Sequence, residues 1–212
     1  MKCQAALEND LRSRGYLAIA GADEVGRGSL FGPVTAAAVM LCPERPVRGL
    51  NDSKQLTAAR RETLSLRIRE RAVCWAVASV DAAEIDRINI YQASRLAMKL
   101  AVLQLAPPPD YLLCDALTLD LSLPQQGIIQ GDAQCHAIAA ASIVAKVHRD
   151  AMMLEFDAIY PQYGLARHKG YGCPEHSRAL RQHGATPLHR RSFAPVYGLD
   201  QLELALAMPE CS

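Results

Sequence analysis

Nowhere in this sequence do two cysteines form a C-x-x-C pair, do eighteen apolar residues run together, or does charge of one sign dominate. The seven cysteines, Cys3, Cys42, Cys74, Cys114, Cys135, Cys173 and Cys211, are odd in number and scattered. That pattern argues against a disulfide framework or a clustered zinc site and suggests a reducing, cytoplasmic setting. The missing apolar run, and the charges interspersed from Met1 to Arg14, argue against a membrane span or a signal peptide. Neither a G-x-G-x-x-G dinucleotide fingerprint nor a G-K-[ST] phosphate loop occurs, since Gly26, Gly28 and Gly32 are spaced one residue too long. Internal repeats and apolar heptads are also missing, so a monomer is expected.

What remains is an ordinary globular chain. It has 212 residues, 50% hydrophobic and 21% charged, enough for one domain with a substantial core. We expect a single domain over 1–212, with residues 175–212 as a C-terminal helical extension. A formal net charge of +1 argues at first against a nucleic-acid partner. The distribution reverses this. Between Leu165 and Phe193, Arg167, Lys169, Arg178, Arg181, Arg190 and Arg191 face only Glu175, with His168, His176, His183 and His189 interleaved. A solvated helix face is the ordinary reading of such a run, and a phosphate-binding surface is the other.

Apolar runs predict strands over Leu17 to Asp23, Val34 to Leu41, Val73 to Val80, Tyr111 to Cys114 and Gly127 to Ile129. Asp81 followed by Glu84 predicts a capped helix start. Helical spacing covers Tyr91 to Ala106, where three prolines stop it, and His136 to about Tyr160, whose Ala139-Ala140-Ala141 centre permits close packing on a sheet. The order predicts an α/β fold with a mixed five-stranded sheet flanked by helices.

Four carboxylates fall where the predicted strands end: Asp23 and Glu24 after the first, Asp115 after the fourth and Asp132 after the fifth. Open α/β sheets bind ligands outside strand ends, and gathered acids repel one another unless cations neutralise them. Mg²⁺ or Mn²⁺ suits such oxygen ligands, and a pair of ions could activate water against a phosphodiester. Any one of the four could instead be a turn former or a surface residue. Asp23 and Glu24 add a difficulty, because neighbours on a regular strand point to opposite faces unless it ends or bulges there. Gly26-Arg27-Gly28-Ser29 offers exposed N–H groups beside a cation, suited to phosphate or sugar oxygens, or a simple glycine turn.

Taken together, these segments resemble the type 2 ribonuclease H family. Ala22-Asp23-Glu24-Val25-Gly26-Arg27-Gly28-Ser29-Leu30-Phe31-Gly32-Pro33-Val34 is similar to its opening signature, and Asn51-Asp52-Ser53-Lys54 to its D-S-K motif. Asp115-Ala116-Leu117, Gly131-Asp132-Ala133, the stretch from Ile138 to Asp150, and His168-Lys169-Gly170-Tyr171-Gly172 with His176 follow in order. The resemblance spans roughly Ala20 to Phe193. It implies a ribonuclease-H-like fold with a helical C-terminal extension and a metal-binding, catalytic quartet of Asp23, Glu24, Asp115 and Asp132. It further implies that the backbone of Gly26, Arg27 and Gly28 senses a ribose 2′-OH. Tyr171 would support the ribose–deoxyribose junction, and Lys54 would contact a phosphate or the scissile region. The implied substrates are RNA–DNA hybrids and duplex DNA with embedded ribonucleotides, cut to leave 5′-phosphate and 3′-hydroxyl ends. Cys135 stands where the family pattern has serine, and Cys173 where it has threonine. Two other readings compete: a non-enzymatic nucleic-acid binder using the basic region, and a zinc protein using His168, Cys173 and His176, which lacks a second paired half.

Overall fold

The computed structural model describes residues 5–198. The chain runs α1 (Ala6–Ser13), β1 (Ile19–Val25), β2 (Val34–Met40), α2 (Ala58–Arg71), β3 (Cys74–Val80), α3 (Ala82–Ile88), α4 (Ile90–Leu103), β4 (Tyr111–Asp115), β5 (Gln125–Ile128), α5 (His136–Ile159), α6 (Leu165–His168) and α7 (Pro174–His183). Of the extension expected over 175–212, residues 199–212 lie outside the described residues, as do Cys3 and Cys211. Among the described residues, no helix is long and apolar enough to cross a membrane. The described residues pack as two compact units: 5–25, 35–79 and 94–149 form one, and 26–34, 80–93 and 150–198 form the other.

The first unit holds the sheet, ordered β3-β2-β1-β4-β5. β1 pairs antiparallel with β2 and parallel with β4, and β4 pairs parallel with β5, so the sheet is mixed as the element order predicts. Burial follows position. β2 is buried at every residue, as a central strand covered on both faces must be. In β3, Ala76, Ala78 and Val80 turn inward while Trp75 and Ser79 turn out, the alternation of an edge strand with one wet face.

The helix α5 lies on this sheet at minimum distance. A Cβ on Gly21 of β1 would fall 2.1 Å from the Ala137 carbonyl carbon, so only glycine permits the approach. Ala139, Ala140 and Ala141 are fully buried in a cluster with Leu64 and Ile68 of α2. Burying each of those two larger side chains is worth roughly 2–3 kcal/mol.

Several predicted boundaries shift. β1 starts at Ile19 rather than Leu17, which is 78% exposed. β5 runs Gln125–Ile128 rather than from Gly127 to Ile129, because the backbone of Gln125 joins the parallel ladder opposite Leu112. The Gln125 side chain also closes the preceding loop through both the N–H and the carbonyl of Leu119. A polar strand start of this kind leaves no hydrophobic signal. Asp81 caps α3 through the Glu84 N–H at 2.8 Å, but the Glu84 carboxylate pairs with Arg87 instead of reaching back. In α4 the cap is Asn89, whose Oδ1 accepts the N–H groups of Tyr91 and Gln92.

The second unit is built around Phe31, which is fully buried and packs edge-on against Phe156, Tyr160 and His189. Met153, Leu165, Leu180 and Val196 complete that core.

Candidate active site

In the first unit, Asp23 and Glu24 lie inside β1 rather than after it. The ladder to β2 passes through them unbroken, Asp23 opposite Ala37 and Glu24 opposite Ala36, so the bulge that the sequence calls for is not there. It is the pairing with β4 that stops, at Ala22 opposite Cys114, one residue before Asp23. Asp23 is 6% exposed and bends its Oδ1 to the N–H of Glu24 at 2.7 Å, while its carboxylate also accepts the Ser142 hydroxyl. Burial first, then the nearby charges of Glu24 and Asp115, push its carboxyl well above the ordinary range.

Asp115 is the last residue of β4, and its Oδ1 accepts the N–H of Gly131 at 2.8 Å. That bond fastens the short 3-10 turn Gly131–Ala133, which carries Asp132, so Asp132 comes from a turn and not directly from a strand end. Burial raises the Asp132 carboxyl, and Lys54 opposes the rise from 3.6 Å. Asp52 adds a like charge beside Asp132, which raises its carboxyl further.

Lys54 reports the convergence most directly. Its side chain is largely exposed; partial desolvation disfavours its charge, yet Asp132, Asp52, Asp23 and Asp115 together raise its pKa above the usual lysine value. The turn bearing it is bolted down. Arg61 of α2 donates to the carbonyls of Ser53 and Leu56, and the Ser53 hydroxyl bonds that of Ser142 at 2.9 Å. As the side chains stand, no three carboxylate, imidazole or thiol groups among the described residues converge closely enough to enclose a metal ion. The donor set is nonetheless the one a hard divalent cation prefers: oxygen only, partly buried, and carrying more negative charge than Lys54 offsets.

The second unit brings together the other expected positions. Gly26, with φ of +90°, starts a turn closed by the Ser29 N–H on its carbonyl. Arg27 and Gly28 are exposed at its tip. The Tyr171 ring lies beside Gly28, its Cε1 4.0 Å from where a Cβ would stand, and the backbones of Ser29 and Tyr171 form an antiparallel bridge.

One alternative raised by the sequence fails here, and another is narrowed. The zinc reading fails because both ring nitrogens of His176 are engaged, Nδ1 with the Tyr171 carbonyl and Nε2 with His189. The Cys173 sulfur, for its part, caps α7 by accepting the His176 N–H. The basic run is also not a uniform surface. Arg190 is fully buried, donating from Nε to Gly32 and from Nη1 to Arg27, both backbone carbonyls, and Arg167 pairs with Glu175. Arg178, Arg181 and Arg191 are exposed.

Sequence reasoning passed over Asp52, Ser142, His189 and Arg190 as site residues. Asp52 and Ser142 sat inside quoted motifs, a signal that was available. For Arg190 only its place in a charge run was visible, and that pointed the wrong way. Neither buried thiol offers chemistry: burial lifts Cys114 to about 12 and Cys135 well above its ordinary value.

A sequence model of the family described as Ribonuclease HII matches residues 20–196. A protein named Ribonuclease HII from Solibacter usitatus is 63% identical over 195 residues, covering 92% of this chain and 86% of that protein. Among solved structures, the ribonuclease H2 of Pyrococcus horikoshii superposes with a TM-score of 0.76 at 24% identity, over 88% of this chain and 98% of the other. Bst-RNase HIII in complex with Mn²⁺ gives a TM-score of 0.63 at 23% identity, over 89% and 70%.

Proposed function

Because the chain belongs to the ribonuclease HII family and is a ribonuclease H acting on RNA–DNA hybrids, we propose that Asp23, Glu24, Asp115 and Asp132 form its metal-binding, catalytic site. The observation that carries this reading is a meeting of separate segments: Asp115 at the end of β4 accepts the N–H of Gly131 in the turn that bears Asp132, Lys54 pairs with Asp132 at 3.6 Å, and the charges of Asp52, Asp23 and Asp115 also act on its ammonium. Separate chain segments would not expend buried charge in one place without a cation to receive it.

Mg²⁺ or Mn²⁺, when bound, supplies the Lewis acidity that activates water and neutralises charge on the phosphodiester. The chain's own residues do the rest. Ser142 and the Glu24 N–H orient the Asp23 carboxylate, the Gly131 N–H orients Asp115, and Lys54 contacts the phosphate at the scissile bond. The backbone of Gly26, Arg27 and Gly28 tests for the 2′-OH, the group that distinguishes ribose from deoxyribose, and Tyr171 supports the ribose–deoxyribose junction. Arg178, Arg181 and Arg191 hold backbone phosphates without reading sequence. On this reading the enzyme also nicks duplex DNA at single embedded ribonucleotides, leaving 5′-phosphate and 3′-hydroxyl ends.

The test is a DNA duplex containing one ribonucleotide, incubated with Mg²⁺, with Mn²⁺ and with chelator. A nick at the ribonucleotide that requires the ion is expected. Binding without cleavage in every condition would favour a non-catalytic site and sink the assignment of the quartet.

A further inference from the structure

Two adjacent side chains in the second unit, His189 and Arg190, are 1% and 0% exposed, and they lead, Arg190 directly and His189 through one further ring, to the two elements assigned to reading the sugar. Arg190 donates from Nη1 to the Arg27 carbonyl at 2.8 Å and from Nε to the Gly32 carbonyl at 2.9 Å, bracing the turn that carries Gly26 to Gly28 from behind. His189 reaches the other element through His176.

The donors along that second path can be assigned atom by atom. The Thr186 N–H lies 3.0 Å from His189 Nδ1, so Nδ1 accepts and the ring proton sits on Nε2. That proton points at His176 Nε2, 3.2 Å away, which must then accept. His176 therefore carries its proton on Nδ1 and donates it to the Tyr171 carbonyl at 3.1 Å. Every bond in the chain is satisfied only when both rings are neutral. Their surroundings keep them so. Burial, with His176 and Arg191 nearby, brings His189 down to about 3, and burial with His168 stacked at 4.7 Å lowers His176. The Tyr163 and Phe31 rings close the remaining sides.

We propose that Thr186 to Arg190 is a positioning segment for sugar discrimination, with Arg190 fixing the Gly26 to Gly28 turn and His189, through His176, fixing Tyr171. Neither residue touches substrate in this scheme. They hold in register two elements that must meet the same ribose–deoxyribose step, and a displacement near 1 Å is enough to lose about 10²-fold in rate. The inference rests on the sugar-reading roles given above to Tyr171 and the glycine turn.

A double-variant cycle with metal saturating separates the two levels. Single-turnover cleavage is measured on a duplex with one ribonucleotide and on a continuous RNA–DNA hybrid, for the wild type, His189→Leu, Tyr171→Ala and the double variant. His189→Leu is expected to slow cleavage at the single ribonucleotide about tenfold more than on the hybrid, with the double variant no slower than Tyr171→Ala. Equal losses on both substrates, or additive losses in the double variant, overturn the inference while leaving the site intact. Unchanged cleavage by Tyr171→Ala alone removes that residue from the site and takes the inference with it. Should His189→Leu not fold, His189→Gln, which keeps an acceptor and an N–H donor, enters the same cycle. A smaller but still non-additive loss supports the proposal, and additivity overturns it.

Discussion

The carboxylate cluster of the first unit and the histidine–arginine cluster of the second bury polar groups in opposite ways. Asp23, Asp115 and Asp132 are gathered with like charges beside them, and Lys54, the cation paired with Asp132, is largely exposed. His176, His189 and Arg190 are buried deeper, yet nitrogens of each have partners within the protein. One region is left electrostatically incomplete and gains by acquiring a cation. The other meets most of its hydrogen-bonding needs from within, through Nε and Nη1 of Arg190 and the ring nitrogens of both histidines, which is the property wanted of a frame that holds a shape.

The sharpest way to break this contrast is Asp23→Asn. If the cluster is the catalytic one, cleavage falls by about 10³-fold or more, at least ~4 kcal/mol in the barrier, while duplex binding persists. Substantial activity in single-turnover assays of this variant would undo the first half of the comparison. Arg190→Leu attacks the second half. It leaves two backbone carbonyls without their guanidinium, and urea unfolding should show a loss of about 3 kcal/mol, whereas an exposed cation such as Arg178 should cost almost nothing on replacement.

The two regions should also answer acid with opposite signs. Unfolded imidazoles titrate near 6.5, and the fold resists protonating His176 and His189. Their contribution to stability is therefore present above about pH 6.5 and is lost as pH falls toward about 3. Asp23 runs the other way, because its folded value lies above 3.8. Its contribution is present at low pH and is lost as pH rises through that folded value. Melting temperatures followed down from about pH 7 should therefore fall less steeply in His189→Gln than in the wild type. Identical slopes would mean that the imidazoles are not held neutral.

The smallest expected effect concerns Cys173, whose sulfur is 3.4 Å from the N–H it caps at the start of α7. An oxygen makes a better cap than sulfur, so Cys173→Thr should stabilise the second unit by about 0.5–1 kcal/mol in thermal unfolding, with cleavage unchanged.

Much of this was readable before any coordinates. The acidic residues at the sheet, the Ala139-Ala140-Ala141 face and the Asp81 cap are local patterns whose chemistry shows within a few residues, although Asp23 and Glu24 lie inside β1 and only Asp115 ends a strand. The places where reading failed share a cause. Gln125 enters β5 through a ladder with β4, and Asp132 is delivered by a turn held by a carboxylate sixteen residues away. Arg190 looked like one more surface cation because nothing nearby in sequence shows that the carbonyls of Arg27 and Gly32 await it.

The sequence by itself determined the mixed α/β plan, the family and the acidic residues that stand at the sheet, because backbone periodicity and motif spacing are properties of short segments. Only the tertiary structure decided which cations are buried, which imidazoles share protons, and that Lys54 stands among four carboxylates. Burial and charge pairing depend on distances between residues far apart in the chain, and those distances exist only once it has folded.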